Sequence, residues 1–173
     1  MSWSRVGFSS LLLFFFFIVQ ESAISKINFP ISGFSLYLCA VLGLMALEDR
    51  FGAIAFGFIA GIILDFSPSS DSAFGKWALI LTIVGYLFSR NRESIGDFTE
   101  RPMAFVLFVT AGATITLLIF LVIGLILGEN NGNTLNNLKT VFGNGLWTLL
   151  FSSILLPIIV KLRALTLTSR ERI

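Results

Sequence analysis

Histidine is absent from this 173-residue chain, and its one cysteine, Cys39, lies inside an apolar run. A cysteine/histidine metal site and an internal disulfide are both excluded. Charge is scarce as well: 13% of the residues are charged, where soluble domains run near a quarter. No nucleophile–base pair, paired acids within an apolar run or phosphate-binding loop can be picked out, so the sequence offers no enzyme chemistry and implies no cofactor. What the chain has instead is apolar bulk: 55% hydrophobic residues, 19 of them phenylalanine, and a mean hydropathy of +0.90. A soluble core of this size could not hide so much apolar surface. Composition therefore points to an all-α integral membrane protein.

Apolar windows near spanning length, about 17–25 residues, fall at 6–24, 31–47, 51–66, 77–89, 103–127 and 146–160. The third and fourth are short. Six spans put both termini on one side. With the N-terminus inside, Arg5, Arg50, Arg90, Arg92, Arg101, Lys161, Arg163, Arg170 and Arg172 are cytoplasmic, and Lys26, Lys76 and Lys139 are outside, which accounts for all 12 basic residues. That bias follows the positive-inside rule. The first segment, "MSWSRVGFSSLLLFFFFIVQESA", has the layout of a secretory signal. Cleavage would leave five spans and an outward N-terminus, so it is taken as a retained first span. The expected unit is one six-span domain with a basic cytoplasmic tail, 161–173, against anionic headgroups.

Little lies between the windows. The mixed-charge loop 90–102 is too short to be a domain, and Pro102 suits the first turn of the helix after it. The Asn- and Gly-rich loop 128–145 is placed outside. Within it Leu135, Leu138, Val141 and Phe142 recur at helical spacing. They form either a short helix on the membrane surface or an extended start to the last span.

The most informative stretch is "GFIAGIILDFSPSSDSAFGKWAL", residues 57–79. Ala53, Gly57, Gly61 and Asp65 are four apart and share one helix face. Small residues at that spacing let another backbone come close, and on that reading Gly61→Ala is mild and Gly61→Leu is not. Asp65 continues the line at a helix C-terminus, where negative charge is disfavoured, and Pro68 ends the helix. A compensating donor is expected among Ser67, Ser69 and Ser70, the backbone N–H groups around them, or Lys76. Three roles compete for Asp65: an interfacial acid marking the end of a span, a structural or partner contact fixing loop 67–76, and ion coupling in a transporter. The last has little support, because Thr110, Thr114 and Thr116 are among few polar groups in the spans and threonines there commonly bond back to their own helix.

The run "GFIAGIILDFSPSSDSAFGKWALILTIVGYLFSR" resembles the central region of the MreD family of bacterial rod shape-determining membrane proteins: a G-x-x-x-G-x-x-x-D helix, a Ser/Pro loop, a glycine, and a helix ending in G-Y-L. Gln20 at the close of the first span, the "FP" step at 29–30 and "GLWTLLFSSILLPIIVKLR" agree in order with the same family. The resemblance implies the six-helix fold of the substrate-binding subunits of energy-coupling vitamin transporters. It also implies a non-enzymatic scaffold in the bacterial plasma membrane that helps determine rod shape during peptidoglycan synthesis. The partners implied are an MreC-like protein, the elongation penicillin-binding protein, RodA and the MreB filament, with the bilayer as solvent and no nucleic acid. The residues singled out for helix packing or partner contact are Gly57, Gly61, Asp65, Pro68, Gly75 and Pro157. A small-molecule-binding subunit of a transporter is the alternative. It would need a polar and aromatic pocket, which Trp77, Trp147 and Tyr86 furnish only thinly; such aromatics commonly sit as interfacial anchors.

Overall fold

A computed structural model describes residues 3–22, 24–26, 35–67, 72–95, 102–129 and 134–166. Among them are six α-helices: α1 Trp3–Ser22, α2 Leu36–Leu47, α3 Arg50–Asp65, α4 Lys76–Ile95, α5 Pro102–Ile126 and α6 Thr134–Thr166, with one 3-10 turn, Ile24–Lys26. The described residues contain no strand. Each helix overlaps one apolar window, but their lengths differ from expectation.

Length and composition support two spanning helices, not six. These are Pro102–Ile126 and the Leu135–Lys161 part of α6, while Leu11–Ser22 and Leu36–Leu47 are shorter apolar pieces. The shortfall is geometric. The 12 residues of α2 and the 16 of α3 rise about 18 and 24 Å at roughly 1.5 Å per residue, against a hydrocarbon core of about 30 Å. The fourth helix has 20 residues but runs on through Arg90, Asn91 and Arg92, so the first turns of the expected loop 90–102 are helical. The expected outer loop 128–145 is helical from Thr134, which makes its apolar repeat the extended start of α6 rather than a separate surface helix. Of that repeat only Val141 is buried; Leu135, Leu138 and Phe142 are exposed.

The second helix is the centre of the fold. From Tyr37 to Leu47 every residue is buried, as a helix apolar all round must be. It packs against α1, α3, α4, α5 and α6. Ser35 caps it, accepting from the Leu38 N–H at 3.1 Å, and Tyr37 donates from the core to the Ala60 carbonyl at 3.0 Å. A two-residue link, Glu48 and Asp49, turns into α3, where the Asp49 carboxylate accepts from the Gly52 N–H. The last helix presents Asn144, Thr148, Ser152, Leu156 and Ile159 to the interior, all fully buried or nearly so.

Candidate functional site: a cross-capped end of the bundle

The α3–α4 hairpin is packed backbone to backbone. A Cβ on Gly57 would run into the Leu81 carbonyl, and one on Gly61 into the Ala78 Cα, with the Trp77 carbonyl 2.5 Å away. From the other side, a Cβ on Gly85 would stand 2.6 Å from the Ala53 carbonyl. The face Ala53–Gly57–Gly61 thus lies on α4, and the obstacles are main-chain atoms that cannot rotate aside. Even alanine at Gly61 must push the helices apart, so the expectation of a mild Gly61→Ala is corrected.

Asp65 extends this face to the end of the hairpin. Its Oδ1 accepts from the Trp77 N–H and its Oδ2 from the Ala78 N–H, each at 3.0 Å. Those are the second and third residues of α4, whose N–H groups have no partner within the helix. The residue in the capping position is Gly75, with φ +89° and no side chain to offer. Asp65 therefore caps the neighbouring helix from twelve residues back in the chain. Its charge sits badly at the C-terminus of α3 but well at the N-terminus of α4, where the dipole and the free donors favour an anion.

Two of the side chains expected to compensate Asp65, Lys76 and Ser67, are engaged with other acids. Lys76, its side chain wholly buried, donates from Nζ to Glu129 Oε2 at 2.5 Å and lies 3.6 Å from the centre of the Phe120 ring. Trp77 stacks on the same ring at 4.5 Å. Glu129, just beyond α5, also accepts from the Ala73 N–H at 3.3 Å. The Lys76 hydrogen bond, then the Ala73 N–H, hold the Glu129 carboxyl below its ordinary value. Ser67 donates to Glu21 Oε1 at 2.8 Å. Ser69 and Ser70 lie outside the described residues.

The device recurs at the neighbouring helix pair. Gln20 Oε1, in the last turn of α1, accepts from the Leu36 and Tyr37 N–H groups at 2.8 and 3.4 Å, the first turn of α2. The ends of α1, α3 and α5 and the starts of α2 and α4 are thereby tied together at one end of the bundle. On that end Phe66 and Phe74 stand about 70% exposed and meet edge to face at 5.2 Å.

The other singled-out residues fall elsewhere. Gly75 serves the backbone at the start of α4 and has open space around it, so it is no packing surface. Pro157 is inside α6 and lines a groove against α5. Pro68 lies outside the described residues. Sequence reasoning overlooked Glu129, although it closes an apolar helix much as Asp65 does, and the buried row Asn144–Thr148–Ser152, whose four-residue spacing was visible. Among the described residues no group of three Cys, Asp or Glu is placed to hold a metal ion. No protein-family model, curated protein or solved structure matches this chain.

Proposed function

We propose that the chain is a non-enzymatic membrane scaffold of the bacterial cell-wall elongation machinery, as its likeness to the MreD family implies. It offers the cross-capped end of its bundle to an MreC-like partner and, through it, to the peptidoglycan synthases. The observation that carries this reading is the Asp65 cap, which ties the end of α3, next to Phe66, to the start of α4, just after Phe74. Two bulky exposed aromatics in contact with each other supply the kind of contact area that a protein interface uses.

Placement in the plasma membrane is part of the proposal. Buried residues make up only 28% of the apolar window of α5 and 33% of that of α6, so neither resembles the core helix of a soluble domain. The shorter helices expose apolar faces too: Phe51 and Phe58 along α3, with Phe66 just past its end, and Leu79 and Ile83 along α4. The α4 face ends in Tyr86, over which Arg50 lies at 5.7 Å, an aromatic–basic pairing suited to a headgroup region. On this placement all six helices lie within the bilayer, α2 shielded from lipid by its neighbours, and both termini are cytoplasmic. Capping Asp65 with N–H groups lets a carboxylate sit near the membrane boundary at tolerable cost.

Affinity capture of the tagged protein from detergent tests the function. An MreC-like protein should co-purify. Recovery of an ATPase module instead would favour a transporter subunit.

A further inference from the structure

Two cavities, of about 280 and 480 Å³, open between α5 and α6. Both fall within or near the range of small-ligand pockets, roughly 300–1,000 Å³. They follow one another along a single seam. On α5 the lining row is Pro102, Val106, Thr110 and Thr114, each four residues from the last. On α6 it is Lys161, Pro157, Ser153, Leu149 and Gly145, again four apart and running the opposite way. Residues four apart stack on one helix face, so the two rows face each other along the seam.

The lining is apolar in effect. The hydroxyls of Thr110, Thr114 and Ser153 donate to the Val106, Thr110 and Leu149 carbonyls of their own helices and are not offered outward. One charged side chain, the exposed Lys161, stands at one end. The chain there is basic: Arg101 precedes Pro102, and Arg163 follows two residues after Lys161. From Lys161 to Leu149 is about 18 Å along α6 at roughly 1.5 Å per residue. One leaflet is about 15 Å deep, half of the roughly 30 Å core. A lipid tail held at the basic end would therefore lie along the seam as far as the second cavity.

We infer that the α5–α6 seam binds one anionic phospholipid, with its phosphate on Lys161 and an acyl chain along the Val106–Thr110 and Ser153–Leu149 rows. Basic pockets between membrane helices on the cytoplasmic side hold such headgroups. The inference rests on the membrane placement above but not on the scaffold role.

The test uses full-length protein extracted from membranes, stripped of lipid, and titrated with phosphatidylglycerol or phosphatidylcholine, with bound lipid counted by native mass spectrometry. One phosphatidylglycerol should bind in preference to phosphatidylcholine. Lys161→Gln should weaken phosphatidylglycerol about fivefold, the equivalent of about 1 kcal/mol for one surface lysine, and leave phosphatidylcholine unchanged. Ser153→Trp, at an exposed position, should plug the seam and abolish both. Glycerol 3-phosphate, a phosphate without chains, should not compete; competition would mean a free-phosphate site. Equal binding of the two lipids, or retention unaffected by Ser153→Trp, overturns the inference, as would a cysteine at Ser153 that cross-links to a partner helix in cells. Release of the chain from membranes by alkaline carbonate without detergent would instead overturn the membrane placement itself.

Discussion

Replacing Asp65 separates a cap from a mere boundary marker. Asp65→Ala removes both acceptors at once and leaves the Trp77 and Ala78 N–H groups without their partner. Loss of a side-chain cap costs about 0.5–2 kcal/mol, and hydrogen bonds to a charged group contribute about 1.5–3 kcal/mol. Asp65 is half-buried, so about 2 kcal/mol is the reasonable sum. Asp65→Asn keeps one acceptor and turns an NH₂ group towards the other N–H, so it should cost about 1 kcal/mol. For a chain of this length 1 kcal/mol moves Tm by roughly 2–4 °C. In detergent Ala should therefore lower Tm by about 4–8 °C and Asn by about 2–4 °C. Partner recovery should fall in the same order. An Asn variant as impaired as Ala in growth, with Tm and partner recovery intact, would instead indicate ion coupling. An Ala variant with unchanged Tm would refute the cap.

The remaining expectations concern packing, charge and orientation. Gly61→Ala should lower Tm measurably, by overpacking worth about 1–3 kcal/mol, and Gly61→Leu should prevent accumulation of folded protein, whereas Phe58→Leu, at an exposed position, should stay within about 0.5 kcal/mol. Glu129 titrates below its ordinary 4.5 when folded; its contribution is thus complete above that value and lost as the pH falls through the lower folded one. The Tm of the native protein should drop at such acid pH more than that of Glu129→Gln, which should already be destabilised at pH 7 because Lys76 stays buried without a counter-charge. With Cys39 buried, a cysteine at Ser72 should react with a membrane-impermeant thiol reagent in intact cells and one at Asn91 should not; the reverse pattern would invert the topology.

What could be read from sequence was periodic and local. Ala53, Gly57, Gly61 and Asp65 repeat every four residues, so their common face was visible without coordinates, and the need for a donor near Asp65 followed from its place at a helix end. Which donor it finds was not visible. The N–H groups of Trp77 and Ala78 carry no side-chain signature, and the glycine at the capping position announces a backbone requirement rather than its remote substitute. Lys76 looked like the partner because it was near in sequence, but Glu129, 53 residues on, is brought to it by the packing of α5. Helix lengths misled for a related reason. A window of apolar residues reports burial in lipid or in protein alike, and α2, only 12 residues long, has five helices packed around it. The apolar repeat of 135–142 was recognised as helical, but its continuity with α6 depends on the backbone between Phe142 and Leu146, where Asn and Gly suggested a turn.

The central claim is that the end of the bundle fixed by Asp65 receives a cell-wall elongation partner. A photo-crosslinking residue placed at Phe74 in living cells, with the same probe at Leu118, exposed on α5, as the control, tests it most directly. An MreC-like protein joined at Phe74, lost in Asp65→Ala and never joined at Leu118, is the result expected. An ATPase subunit at Phe74, or an MreC-like protein captured equally at both positions, would contradict it.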